Sequence, residues 1–151
     1  MSFTGDGCIA LFEERHFASQ IETINAAVDA AHRIGELVFS KRHTRRYKDM
    51  TARIALHWGE AYIPPSGRLR DQIIGGDVVC ATRVCDWLGR VVETATSPDL
   101  RNTLIGMTDA FHLLCYGSQE PTQEWTRHLE VELKGLASQT AIYWRWHVSS
   151  S

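Results

Sequence analysis

The pattern of apolar and polar residues divides the first half of the chain into a hairpin, a helix and a strand. "SFTGDGCIALFEE" (2–14) holds an Asp between two glycines where two apolar runs meet, which predicts a tight hairpin continuing into a short buried strand. Apolar residues then recur at helical spacing, which predicts one amphipathic helix over 16–39. "TARIALHWGEAYI" (51–63) predicts a strand that runs into a loop and stops at Pro64 and Pro65.

The second half of the chain predicts further helices and a terminal hairpin. A short strand and a Gly-Gly break precede a predicted helix over 77–90. Ser97 as N-cap and Pro98 at the first helical position predict the start of another helix. The segments 128–135 and 140–148 alternate charged with apolar or aromatic residues, which is typical of an antiparallel hairpin.

The order β-β-α-β-β-α-(α)-β-β indicates an α+β fold, with helices packed on a mostly antiparallel sheet. At 151 residues the chain is expected to form one domain, over 1–148, with a short tail at 149–151. A formal net charge of −2 gives no overall attraction to nucleic acid or to an anionic membrane. No apolar run approaches the ~20 residues that span a bilayer, and the start lacks the pattern of a signal peptide.

The cysteines and histidines favour a cytoplasmic protein without a zinc site. The cysteines form no C-x-x-C pair and lie in apolar sequence, which indicates buried, reduced thiols at Cys8, Cys80, Cys85 and Cys115. The seven histidines are scattered and show no H-x-x-x-H spacing. From the net charge and the lack of a long apolar run, we expect neither a nucleic-acid partner nor a membrane partner for this chain.

Residues with reactive or charged side chains also have ordinary structural interpretations. Asp6, between two glycines, is typical of a turn residue, and a metal ligand is the alternative. The basic run "KRHTRRYKD" (41–49) is typical of a solvated loop, and a patch that attracts a polyanion is the alternative. Taken alone, Arg83 is an exposed helical arginine and Lys134 an ordinary lysine at a strand end.

Four segments, in chain order, resemble the class III nucleotidyl cyclase domain, the catalytic fold of adenylate and guanylate cyclases. They are "FTGDGCIALF", "ARIALHWGEAY", "IIGGDVVCATRVCDW" and "LEVELKGLASQTAIYWRW". The resemblance covers nearly the whole chain and implies a ferredoxin-like cyclase fold. The family's domain begins with a strand and helices that carry a first metal-binding Asp. This sequence starts after that point, so the first strand and helices are missing from it.

The resemblance implies a site and a cofactor. In the family, two Asp carboxylates hold two divalent ions, Mg²⁺ or Mn²⁺, and Asp6, flanked by Gly5 and Gly7, matches the second of these residues. Arg83 matches the helix arginine that reaches the phosphates. Lys134 matches the lysine of the terminal hairpin that contacts the triphosphate.

Three positions depart from the family's nucleotide-binding pattern. Val79 lies where many relatives have the Asn that orients the ribose, and valine offers no hydrogen bond. Ser2 and Gln72 occupy the base-reading positions, where adenylate cyclases place Lys and Asp. Because neither the adenine pair nor the usual guanine pair is present, the base is expected not to be adenine. A small cyclase without the purine pair also resembles the pyrimidine cyclases of bacterial antiphage signalling, so a pyrimidine is one candidate base, and the sequence does not determine which base is used.

The function implied is conversion of a nucleoside triphosphate to a 3′,5′-cyclic nucleotide second messenger and diphosphate. Such an enzyme would work as a homodimer and would signal to a downstream effector that senses the cyclic nucleotide. The alternative is a catalytically degenerate domain that dimerises or binds nucleotide as a regulatory module. His57 and Glu60, which could be imagined as an acid-base pair, are taken as strand-end residues and left out of the expected site.

Overall fold

The computed structural model describes residues 2–4, 7–41, 44–47, 50–65, 73–94, 103–117 and 124–147. The strands are β1 (Ser2–Thr4), β2 (Gly7–Ile9), β3 (Ala52–Leu56), β4 (Thr103–Thr108), β5 (Thr126–Val131) and β6 (Thr140–Trp146). The helices are α1 (Gln20–Lys41), α2 (Gly76–Thr94) and α3 (Asp109–Tyr116), with short 3₁₀ turns at Glu14–His16 and Arg45–Tyr47. The α+β class predicted from the sequence is confirmed. The assignment to the ferredoxin-like cyclase fold stays a proposal.

Four strands form a mixed sheet in the order β3-β4-β6-β5. Strands β3 and β4 are parallel, with α2 as the crossover between them, whereas β4 pairs with β6 and β6 with β5 in antiparallel fashion. The remaining strands, β1 and β2, form a separate two-stranded antiparallel hairpin. The hairpin predicted at the start of the chain is therefore confirmed, and so is the terminal hairpin.

Helices cover both faces of the four-stranded sheet. On one face Ile24 and Ala31 of α1 and Phe111 of α3 pack with Ile105 and Met107 of β4. On the opposite face α2 supplies Val84 and Leu88, which pack with Leu104 and Ile142. Alternate residues of β4 point to opposite faces, so this one strand contributes to both cores.

Strand β4 is buried at every position, from Thr103 to Thr108. Its glycine allows α2 to approach closely, because a Cβ atom at Gly106 would lie 2.8 Å from Cδ2 of Leu88. Leu88 and Leu104 are completely buried at this contact. Burial of aliphatic side chains of this size contributes roughly 1.5–3 kcal/mol each, so this contact helps to hold α2 on the sheet.

The sequence prediction placed helix α1 slightly too early. Residues Glu14–His16 form a 3₁₀ turn, and α1 begins at Gln20. The reason lies in the local polar residues: Ser19 Oγ accepts a hydrogen bond from the backbone N–H of Glu22 at 3.2 Å. The Glu22 carboxylate accepts in return from the backbone N–H of Ala18 at 3.0 Å. This reciprocal pattern resembles a capping box and fixes the start of the helix.

Other sequence predictions are wrong or lie outside the described residues. Strand β2 is exposed rather than buried, because the hairpin β1–β2 is not part of the main sheet, and Cys8 is exposed with it. The predicted short strand before α2 appears in the described part as a single bridge between Tyr62 and Ile74. The predicted helix start at Ser97 and Pro98 lies outside the described residues, and β4 and α3 follow at Thr103–Tyr116.

Within the described ranges, no helix combines the length and the apolar character that crossing a membrane requires. All four cysteines are free thiols. Burial raises the pKa of the Cys115 thiol to about 11, so this side chain is a poor nucleophile near neutral pH.

Candidate functional site

The predicted site residues fall on three separate elements. Asp6, Gly5 and Gln72 lie outside the described residues. Ser2 and Gly7 belong to the β1–β2 hairpin and pair with Ile9 and Thr4 respectively. Val79 and Arg83 lie one turn apart on α2, and Lys134 lies in the connection between β5 and β6. Among the described side chains, no hydrogen bond or ion pair joins Arg83 to Lys134.

Arg83 is partly paired and partly unsatisfied. Its Nη1 donates to Oδ2 of Asp86, one turn further along α2, at 3.0 Å. Its Nε is buried and finds no hydrogen-bond partner among the described residues. Buried donors are normally satisfied, so an unpaired N–H of this kind can gain a hydrogen bond by donating to a ligand oxygen. The side chain is 37% exposed and therefore accessible to a ligand from solvent.

Val79 presents an apolar side chain to solvent on the same helix. It is 44% exposed. Its backbone N–H donates to the carbonyl of Gly75 at 3.2 Å and so belongs to the first turn of α2. Because valine carries no polar side-chain atom, this position contributes no hydrogen bond to a ribose.

Lys134 lines an open cleft of about 700 Å³ formed by the β5–β6 connection and α2. Arg90 of α2 lines the same cleft, as do Glu132 and Gln139. The Gln139 amide donates to Oε1 of Glu132 at 3.1 Å and ties the two sides of the connection together. Gly135 adopts a φ of +83°, a conformation that favours glycine, so the tight turn after Lys134 depends on Gly135.

The described part of the chain contains no group of three or more His, Cys, Asp or Glu side chains that could hold a metal ion. The metal ligand expected from the sequence, Asp6, lies outside that part. The described residues therefore do not by themselves provide a site for the two ions that the resemblance implies.

The structure brings together three polar residues that were not part of the expected site. His57 directly follows β3, Thr108 ends β4, and Asp77 lies in the first turn of α2. His57 Nδ1 is 2.8 Å from the Thr108 hydroxyl, and His57 Nε2 is 3.1 Å from Oδ1 of Asp77. These contacts are possible because β3 and β4 are parallel, which brings their carboxyl ends to the same edge of the sheet. We call these residues the His57 triad.

The hydrogen bonds fix the direction of donation through the His57 triad. The backbone N–H of Glu60 donates to Oδ2 of Asp77 at 2.7 Å. This bond, followed by the one from His57, holds the pKa of Asp77 below its ordinary value, so the carboxylate is ionised. An ionised carboxylate only accepts, so His57 Nε2 carries a proton and donates to it. In the neutral imidazole, Nδ1 then accepts from the hydroxyl of Thr108.

The order hydroxyl, imidazole, carboxylate is that of nucleophilic hydrolases, yet the burial here excludes that chemistry. Thr108 is only 1% exposed, so its hydroxyl is out of reach of a substrate. The same oxygen lies at the N-cap of α3 and accepts from the backbone N–H of Phe111 at 3.5 Å. The His57 triad is therefore a structural connection that fastens the first turn of α2 to the ends of β3 and β4.

Two glycines allow the backbone to come close enough for this connection. A Cβ atom at Gly59 would collide with the carboxylate of Asp77. Gly75 has a φ of +149°, and a Cβ atom there would lie 3.0 Å from the carbonyl oxygen of Glu60. Gly59 in "HWGE" and Gly75 in "IIGGD" are thus the trace of this contact in the sequence. That the two segments meet follows only from the parallel pairing of β3 with β4.

We expect Asp77→Ala to reduce the free energy of unfolding by about 1 kcal/mol, because it removes the acceptor for the Glu60 N–H and for His57. The expected loss of stability is small for two hydrogen bonds because the Asp77 side chain is 44% exposed and water screens its interactions. The matched control is Asp86→Ala, a carboxylate on the same helix that is 59% exposed, and it should change stability by less than about 0.5 kcal/mol. Urea denaturation followed by tryptophan fluorescence measures both. Equal effects of the two substitutions would contradict a structural role for the His57 triad.

The chain matches no protein-family model, no curated protein and no solved structure.

Proposed function

We propose that the chain is a nucleotidyl cyclase domain, which converts a nucleoside triphosphate to a 3′,5′-cyclic nucleotide and diphosphate. One observation carries the proposal. The four segments that resemble the class III cyclase domain adopt, where they are described, a hairpin, a strand, a helix and a hairpin in that chain order. These are the elements that the resemblance requires at those positions.

The state of Arg83 supports a role in phosphate binding. Its buried Nε has no partner among the described residues, and its Nη1 is held by the exposed carboxylate of Asp86. Guanidinium groups bind phosphate oxygens through several donors at once. A triphosphate would compete with Asp86 for Nη1. Because Nε is buried, the side chain would have to move for Nε to donate to a phosphate oxygen as well. Lys134, beside an open cleft on the same face of the sheet as α2, is proposed as a second cation for the phosphates.

The remaining parts of the proposed site are carried over from the sequence. Asp6, flanked by Gly5 and Gly7, would help to hold two divalent ions, Mg²⁺ or Mn²⁺, as the cofactor. Ser2 and Gln72 would face the base. A glutamine amide both donates and accepts, which suits the edge of a pyrimidine, and a uracil or cytosine nucleotide with a role in antiviral signalling is the substrate class we propose.

A second function, a regulatory module that only dimerises or binds nucleotide, is favoured by the surface at Val79. An exposed valine replaces the hydrogen-bonding side chain that would position a ribose, and it adds apolar surface of the kind that protein contacts cover. A measurable turnover separates the two functions.

The assembly we propose is a homodimer in the cytoplasm, whose product would act on an effector that senses cyclic nucleotides. In the family that the chain resembles, the metal-binding carboxylates of one active site come from one subunit and the helix arginine comes from the other. A two-fold dimer of this chain would then contain two equivalent sites, because an isologous interface repeats every contact.

The first test of the proposal is product formation. The protein is incubated separately with ATP, GTP, CTP and UTP in the presence of Mn²⁺, and the products are analysed by mass spectrometry. We expect a cyclic pyrimidine nucleotide as the main product. Asp6→Ala and Arg83→Ala should each reduce the rate at least about 100-fold, the size typical of losing one group that stabilises transition-state charge.

The matched control for Arg83→Ala is Arg15→Ala, because Arg15 is a surface arginine that is 71% exposed and paired with Glu13. This control should retain full activity, and far-ultraviolet circular dichroism should show that all variants are folded. Cyclic AMP as the main product would overturn the proposed base preference. The absence of any cyclic nucleotide from the folded protein would favour the regulatory module.

The second test is complementation between inactive chains. Asp6→Ala and Arg83→Ala chains are mixed under conditions in which subunits exchange. We expect each mixed dimer to regain at most about half the activity of the unmutated dimer, since one of its two sites keeps both residues. Folded, exchanging chains that stay inactive would show that the site is not shared between subunits.

A further inference from the structure

A chain of polar side chains, separate from the proposed site, joins α1 to the end of β6. His147 Nε2 is 3.2 Å from Oε1 of Glu36, and the Nδ1 atoms of His147 and His32 are 3.4 Å apart. His32 Nε2 is in turn 3.0 Å from Nη2 of Arg145. Glu36 and His32 belong to α1, Arg145 belongs to β6, and His147 directly follows β6. We call these residues the histidine chain.

The contacts determine where the protons lie in the histidine chain. A guanidinium only donates, so His32 Nε2 must accept from Arg145 and carries no proton. In the neutral ring the proton of His32 is then on Nδ1, and it donates to Nδ1 of His147. His147 therefore carries its own proton on Nε2, which donates to the carboxylate of Glu36. In this assignment both rings carry one proton, and each ring nitrogen makes one hydrogen bond.

The surroundings hold the histidine chain in place. The side chain of His147 is 4% exposed. Its ring lies directly against α1, and a Cβ atom at Gly35 would be 2.6 Å from its Cγ atom. Its backbone N–H donates to the carbonyl of Thr103 at the start of β4, at 2.9 Å. Arg145 is fixed from the other side by Oε2 of Glu124 at 2.6 Å, and its guanidinium stacks over Trp125 at 4.6 Å.

We propose that the histidine chain is a proton-sensitive latch, which fastens the end of β6 to α1 while both histidines are neutral and opens when either ring takes a second proton. The opening follows from the donor pattern. A proton added to His32 Nε2 would face an N–H of Arg145, and a proton added to His147 Nδ1 would face the N–H of His32. Either addition replaces a hydrogen bond by two opposed donors next to a fixed positive charge.

The charged groups around His32 set the direction of its titration. Burial lowers the pKa of His32 first, followed by the positive charge of Arg145 and by His147, whereas Asp29 and Glu36 act in the opposite direction. Taken together, these effects hold the pKa of His32 below its ordinary value. The folded protein then binds fewer protons at this site than the unfolded chain. The stabilisation is present above about pH 6.5, the ordinary value for histidine, and is lost as the pH falls through the lower value of the folded state.

Coordination of a metal ion explains these contacts less well. Two imidazole nitrogens 3.4 Å apart could both bind one cation, but His32 would then need an unprotonated Nδ1 while its Nε2 already accepts from Arg145. The described residues offer no third ligand beside the two rings.

The direct test is the tautomer of each ring, measured on the full chain by ¹⁵N nuclear magnetic resonance with long-range coupling to the ring protons at pH 7.5. We expect the Nδ1–H form for His32, which is the minor form of histidine in water, and the Nε2–H form for His147. Assignment uses the variants His32→Asn and His147→Asn. The Nε2–H form at His32, or a doubly protonated ring at pH 7.5, would overturn the proposal.

The second measurement is the unfolding equilibrium between pH 8 and pH 5.5. The unfolding constant of the natural sequence should increase several-fold as the pH falls, and His32→Asn should flatten that increase. The control His16→Asn changes a histidine that is 63% exposed and should leave the pH dependence unchanged. Faster amide exchange in α1 around His32 at low pH would locate the opening. A pH dependence that is the same in the natural sequence and in His32→Asn would contradict the latch.

Discussion

Strand β4 has no face that is turned to solvent, and the rest of the fold follows from covering it. Leu104 and Gly106 require one layer, which α2 supplies, while Ile105 and Met107 require another, which α1 and α3 supply. Gly106 sets the distance of α2 from the sheet through its contact with Leu88. Because β4 lies between β3 and β6, its backbone is paired on both sides as well. A single six-residue segment thus organises three helices and the central pairs of the sheet.

The His57 triad and the histidine chain are attached to opposite ends of the same strand. At the carboxyl end, the Thr108 hydroxyl contacts His57, which holds Asp77 and the first turn of α2. That turn precedes Arg83, so the proposed phosphate-binding helix is positioned by β4. At the amino end, the Thr103 carbonyl accepts from the backbone of His147 and places its ring against α1. The buried centre of the sheet therefore supports both the proposed site and the proposed latch.

The sequence predicted those elements whose periodicity is clear. It did not predict β4, which is buried on both faces, or α3 at Asp109–Tyr116. Helices α1 and α2, strand β3 and both hairpins follow from spacing and turn residues. "TLIGMT" shows no alternation, because a central strand beside a parallel neighbour is apolar throughout, and it follows Ser97 and Pro98, which suggested a helix. The His57 triad could not be predicted either, because His57 and Asp77 are 20 residues apart and meet only through the β3–α2–β4 arrangement. The turn residues from Gly5 to Gly7 predicted that β1 pairs with β2. They did not indicate whether this hairpin joins the main sheet.

Native-state hydrogen exchange tests the central role of β4 most directly, because it reports the free energy of the opening that exposes each amide. The account predicts that amides of Leu104, Ile105 and Met107 exchange only through global unfolding, with a free energy equal to that from urea denaturation. Amides of the separate β1–β2 hairpin should exchange through much smaller openings. Exchange of the β4 amides through a local opening, at a free energy below that of amides in α1, would contradict the account.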